Sequence, residues 1–171
     1  MNSASTIIGH KSRLAFESAI KAKSICGPLG HFCLWGGGNR IGDFDDVVVL
    51  RGIQGQVEKS LSYSGVRMDE SLADLSGKSV LDAVREGIFG EGGSIAEVIA
   101  DDRYYRRFHI GELGLSAFDD WEAVLLEVPT GVRFIWARAG GVNANEILLR
   151  REEYEGCAMK WLDWFQEFNQ P

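Results

Sequence analysis

The residues best suited to chemistry crowd into one stretch: Gly30-His31-Phe32-Cys33-Leu34-Trp35-Gly36-Gly37-Gly38-Asn39-Arg40-Ile41-Gly42-Asp43-Phe44-Asp45-Asp46. It sets a histidine, a cysteine and a tryptophan against a triple glycine and then three carboxylates. Four chemistries compete for it. A phosphate-binding loop needs GxGxxG or GxxxxGK[ST] between a strand and a helix, so that backbone amides face the phosphates. Gly36, Gly38 and Gly42 give GxGxxxG followed by strand-like residues, which reads more simply as a hairpin turn. A metal site would draw on Cys26, His31 and Cys33, but zinc wants a fourth ligand and this spacing fits no tight pair. Cys33, between Phe32 and Leu34, reads as a small core residue. A hydrolytic site would pair His31 with Asp43 or Asp45 and needs a deep pocket joining them; no GxSxG elbow supports it. Lastly, Asp43, Asp45 and Asp46 form either a solvated turn with one helix cap or a recognition edge that meets Lys and Arg of a partner. No catalytic, cofactor-binding or metal-ligating residue emerges.

Other charged clusters are weaker. Asp119-Asp120-Trp121-Glu122, Asp101-Asp102 and Glu152-Glu153-Glu155 read first as surface charge. Arg103-Tyr104-Tyr105-Arg106-Arg107 is the one basic-aromatic patch. It could stack bases, but beside Asp101 and Asp102 it reads as a salt-bridged surface. The formal charge of −7 opposes direct nucleic-acid binding, which asks for a basic face, and suits a basic partner instead.

The elements that must position these groups follow from pattern. With 171 residues, 45% of them hydrophobic, and five tryptophans and nine phenylalanines, the chain can bury a full core as a single domain, residues 1–171. Residues 1–6 read as a loose tail. Strands are expected at Arg13–Ile25, His31–Trp35, Arg40–Asp43 and Arg107–Gly111. A hairpin pairs Trp121–Val128 with Val132–Arg138 around Pro129-Thr130-Gly131. Asp45 or Asp46 is expected to cap a helix carrying Val47, Leu50, Ile53, Val57 and Leu61 at helical spacing. Ser79-Val80-Leu81-Asp82 and Ser94-Ile95-Ala96-Glu97 read as capping boxes for two more helices, the second running to about Asp102. Glu152–Phe168 is amphipathic, with Tyr154, Ala158, Trp161, Leu162, Phe165 and Phe168 on one stripe. Hairpins outnumber β-helix-β units, so the expectation is α+β: an antiparallel sheet built from hairpins, covered by helices and closed by a C-terminal amphipathic helix. No run approaches a membrane span, and Met1–Arg13 lacks an apolar stretch fit for a signal peptide. Three cysteines without a CxxC pair give no disulfide framework. Together these predict a reducing cytoplasm.

Read as a whole, Ile7-Ile8-Gly9-His10-Lys11-Ser12-Arg13-Leu14-Ala15-Phe16, Gly30-His31-Phe32-Cys33-Leu34-Trp35 and Ile41-Gly42-Asp43-Phe44-Asp45 resemble the opening of immunity protein family 42. Phe118-Asp119-Asp120-Trp121-Glu122 is similar to that family's aspartate-rich turn before a Trp-containing strand. The resemblance implies a cytoplasmic protein, encoded beside a polymorphic or contact-dependent inhibition toxin, that binds the toxin's C-terminal domain and protects the producing cell and its kin. A basic nuclease cleft is one target such an acidic protein could block; a deaminase or an NAD-consuming enzyme is another. The expected toxin contacts are Asp43, Asp45 and Asp46, then Asp119, Asp120 and Glu122. His31, Trp35 and Gly42 are expected to be structural. The rival readings are a small hydrolase or ligand-binding enzyme centred on His31, and a general regulatory protein-binding domain.

Overall fold

The computed structural model describes residues 5–90, 93–110 and 116–168. Its architecture is α+β, with the hairpins falling into two antiparallel sheets rather than one. The first sheet contains β1 (Thr6–Gly9), β2 (Leu14–Ser24), β3 (Gly27–Gly36), β4 (Asn39–Ile41) and β5 (Val48–Val49). Its order is β1-β2-β3-β4, and β5 also pairs with β3, at Leu29 and Gly30. Then come α1 (Leu50–Ser62), α2 (Glu70–Ala73), α3 (Gly77–Phe89) and α4 (Ile95–Tyr105). A 3-10 turn at Ser116–Phe118 leads into the second sheet, β6 (Trp121–Val128), β7 (Gly131–Arg138) and β8 (Asn145–Leu149), and α5 (Arg151–Phe168) closes the chain.

The triple glycine divides its work. Gly36 and Asn39 are cross-strand partners, so Gly37 and Gly38 alone form the loop. Their φ values of +55° and +86° are the two positive angles a type I′ hairpin requires. Gly36 serves packing instead: a Cβ there would lie 2.8–2.9 Å from the rings of Phe134 and Trp136, where the two sheets meet.

One core cluster joins both sheets. Phe16, Phe32 and Leu34 from the first meet Leu125, Phe134 and Trp136 from the second, with Tyr154, Ala158, Trp161 and Phe165 of α5 packed among them. The expected stripe of α5 holds at those four positions; Phe168, at the helix end, is about half exposed. Trp164 is half-buried against Trp161 and Phe168. A second cluster lies on the other face of β6 and β7, where Val124, Leu126 and Ile135 meet Val80, Leu81, Val84 and Ile88 of α3. A buried polar seam links the layers. Glu127 accepts N–H bonds from Gly65 at 2.7 Å and Arg67 at 3.2 Å, and the Arg67 side chain donates to the Ser60 hydroxyl at 2.8 Å and the Arg107 carbonyl at 2.8 Å.

Several boundaries differ from expectation. Neither Asp45 nor Asp46 caps α1. The residue before that helix is Val49, which offers no side-chain cap, because Val48 and Val49 stay extended to pair with β3. β-Branched side chains suit that strand better than a helix start. The cap of α3 is Ser76, whose hydroxyl accepts from the Ser79 N–H; Asp82 is one turn into the helix, paired with Lys78. The Ser94–Glu97 capping box forms as expected, and α4 continues to Tyr105. Residues 107–110 form no full strand. His109 makes a single bridge to Val124, and two backbone bonds tie Phe108 and Ile110 to β6. Gly111 and residues 1–4 lie outside the described residues, and Thr6 already belongs to β1. The short capped helix α2 and the edge strand β8 are elements the sequence pattern did not mark.

Candidate functional site

Strand alternation decides which motif residues share a face. On β2 and β3, Phe16, Phe32 and Leu34 point into the core, which sends Glu17, His31, Cys33 and Trp35 to the opposite face. There Glu17 is the hub. Its carboxylate accepts from Trp35 Nε1 at 2.7 Å, Lys11 Nζ at 2.8 Å and Ser5 Oγ at 2.9 Å. Burial alone would raise the Glu17 carboxyl, but the bonds from Lys11, Trp35 and Ser5 together outweigh it and hold the group below its ordinary value. Lys11 also sits 4.0 Å above the Trp35 ring, a cation–π contact. Cys33 lies beside this carboxylate, and burial followed by the Glu17 charge pushes its thiol up to about 12. At neutral pH it is an inert thiol rather than a nucleophile or a ready ligand.

His31 is buried, and its Nδ1 lies 3.0 Å from the Asp46 carbonyl. A carbonyl only accepts, so Nδ1 is the donor. The ring packs against Phe44 at 5.4 Å. The histidine therefore meets the backbone of the acidic loop and not a carboxylate. Trp35 is half-buried above Glu17. Gly42 has φ +99°, and a Cβ there would come within 2.9 Å of the Phe118 ring. This close approach seats the Ile41-Gly42-Asp43 corner on the 3-10 turn. Among the described residues no group of three or more His, Cys, Asp or Glu gathers as a metal site.

The same corner brings the two acidic clusters together. The Asp43 N–H donates to the Ala117 carbonyl at 2.7 Å, tying loop 43–46 to the turn that carries Asp119 and Asp120. Asp43 Oδ1 accepts from the Asp45 N–H at 2.9 Å, an Asx-type turn that holds the loop. Asp43, Asp45, Asp119 and Asp120 are exposed and Asp46 is half-buried. The nearest cation to Asp120 is Arg138, 3.7 Å away and stacked 4.2 Å over the Trp121 ring. Glu122 leaves this group. It points to the α3 side of β6, 3.4 Å from Arg85. Sequence clustering found these acids, but it missed the Lys11–Glu17–Trp35 network. Its signal was available: Glu17 and Trp35 fall on one face once the core side of each strand is set.

The basic-aromatic patch is occupied by its own neighbours. Arg106 pairs with Asp102 at 2.7 Å, Arg107 lies 3.8 Å over Tyr104, and Tyr104 donates to Asp69. That geometry is an internally paired surface.

Comparison with known proteins follows the same outline. The sequence profile of Immunity protein 42 matches residues 6–164. No curated protein matches the chain. Among solved structures, the crystal structure of CdiI from Burkholderia dolosa AUO158 superposes with a TM-score of 0.72, covering 93% of this chain and 99% of that one at 11% identity. At that identity the likeness is one of fold. The profile, however, runs from the first strand into the last helix and takes in the Glu17 network and both acidic clusters, so the chain belongs to the immunity protein 42 family and is a toxin-neutralising immunity protein.

Proposed function

We propose that this protein neutralises its toxin by direct stoichiometric binding, without chemistry of its own, and that the acidic edge formed by Asp43, Asp45, Asp46, Asp119 and Asp120 meets a basic surface on the toxin's C-terminal domain in the cytoplasm. The observation that carries the reading is the Asp43–Ala117 backbone bond, which merges two acidic segments far apart in sequence into one exposed edge. Carboxylates so placed accelerate encounter with a basic partner and fix its register. The net charge of −7 acts in the same direction. A toxin with a cationic cleft for a phosphate substrate is the target chemistry this edge suits best. Glu122 contributes least, because it faces away and is already paired. The core shared by both sheets supports treating residues 1–171 as one domain.

The test is co-purification of the chain with the toxin domain encoded next to it, followed by titration across salt concentrations. Tight binding that weakens with salt is expected. Asp43→Lys with Asp45→Lys should weaken binding by about ten- to a hundredfold, roughly 1.4–2.7 kcal/mol, while loss of the Asx turn at Asp43 lowers stability by only the ~1 kcal/mol of one hydrogen bond. Unchanged affinity in the double variant would move the interface elsewhere.

A further inference from the structure

Helices α1, α3 and α5 each bury a face, whereas α4 buries none of its residues. It is held by its ends. At its start stands the Ser94–Glu97 capping box; near its finish Tyr104 donates to Asp69, and the Tyr105 ring lies against Gly87 of α3, where any Cβ would overlap it. The apolar residues Ile95, Val98 and Ile99 follow i, i+3, i+4, the spacing of a helix-packing stripe. That stripe is left open: Ile95 is 81% exposed and Ile99 47%, and Phe89, at the end of α3, is 54% exposed. Beside it, Val98 and Tyr105 of α4 and Ala83 and Gly87 of α3 line an open groove of about 380 Å³. Glu86 of α3 and Asp101 of α4 line it too. Both acids are exposed, and neither forms an ion pair with a described residue. The single cation of α4, Arg103, comes five positions after Val98 and so falls on the far side of the helix.

We propose that this groove is a docking site for the toxin domain, filled by a cationic amphipathic helix of that domain. Its apolar side chains cover Ile95, Val98 and Ile99, and its Lys or Arg heads reach Glu86 and Asp101. The immunity role supplies the class of partner, and the groove supplies the chemistry. A third helix laid along two others buries a stripe of this spacing. The aliphatic stem of a Lys or Arg suits walls such as Ala83 and Val98, while its charge meets the carboxylates. A second copy of this chain fits poorly, because it brings a net charge of −7 and the same two acids to the contact. An anionic membrane surface is repelled for the same reason. The proposal rests on the toxin-neutralising role but not on the acidic edge, which is carried by other segments.

The experiment is amide hydrogen exchange of the full chain, free and bound to the toxin domain encoded next to it. A helix with so little burial exchanges readily when free, and α4 should slow by about tenfold or more in the complex. Two double variants, each checked for an unchanged circular dichroism spectrum, separate the contributions. Glu86→Lys with Asp101→Lys should weaken binding by about tenfold or more, a loss that shrinks as salt rises. Ile95→Ser with Ile99→Ser should weaken it by about tenfold at every salt concentration. Protection of loops 43–46 and 117–120 without protection of α4 would overturn the groove and leave the acidic edge standing. Protection of α4 alone would support the groove and overturn the edge. Absence of any complex, or parental affinity in both double variants, would overturn the proposal.

Discussion

The two sheets meet their surroundings in opposite ways. In the second, both faces are apolar: Ala123 and Leu125 face one core, Val124 and Leu126 the other, and β7 does the same with Phe134 and Trp136 against Ile135 and Ala137. In the first, one face of β2 and β3 is apolar and the other carries Glu17, His31, Cys33 and Trp35 in a hydrogen-bonded set. A sheet buried on both sides has no room for recognition and reads as an unbroken apolar run. A sheet with one polar face can hold a loop rigidly and present it. The acidic loop 43–46 is anchored through His31 on that polar face, and Asp119 and Asp120 join it from the turn that leads into the second sheet.

The contrast can be broken most forcefully in the doubly covered sheet. Phe134→Ala should cost about 3–5 kcal/mol in urea unfolding, the range for a fully buried aromatic truncated in a core. A loss under about 1 kcal/mol would mean that the two cores are not mechanically shared. On the polar face the expected loss is smaller. Glu17→Gln keeps the shape, removes the charge, and turns an amide N–H₂ toward donors, costing about 1–3 kcal/mol. Its signature lies in acid. Glu17 is held below its ordinary value, and Glu153 is held at about 2 by the paired bonds from Arg13, so each binds fewer protons folded than unfolded. Their contributions are complete above the unfolded carboxylate range near 4.5 and are lost as pH falls below it, that of Glu153 as pH approaches about 2. The Glu17→Gln substitution should therefore flatten the stability–pH curve below pH 4.5, and an unchanged acid limb would refute the assigned role of that carboxylate. The smallest effect is expected from Glu122→Lys. Facing α3 and away from the loop, it should change toxin affinity less than twofold, whereas a loss comparable to that of the Asp43/Asp45 double variant would show that the interface wraps around the second sheet.

Much of this is legible in the sequence, for reasons that differ by element. The β6–β7 hairpin, α3, α4 and α5 carry their own periodicity and turn residues, so local pattern suffices. The start of α1 is ambiguous because Asp is at home in both a helix cap and an Asx turn, and because the pairing that keeps Val48 and Val49 extended comes from β3, eighteen or more residues earlier. The acids of the candidate edge are visible as clusters, but their union is not: the Asp43–Ala117 bond spans 74 positions and exists only once Gly42 has docked on Phe118. The Glu17 network is hidden for a similar reason, since its partners Lys11 and Trp35 stand 6 and 18 positions away and the carboxylate looks like one charge among many.

The clasp between the chain's beginning and its end has a consequence for timing. Arg13 holds Glu153 through two bonds of 2.9–3.0 Å, Ser18 receives the Trp161 indole N–H at 2.7 Å, and Phe16 packs on that same indole. A nascent chain emerging N-terminus first must keep β2 waiting, its apolar face uncovered, until α5 has been synthesised. Burial of the apolar face of β2 therefore waits on a segment more than 120 residues later, and truncation before Arg151 should leave that face uncovered.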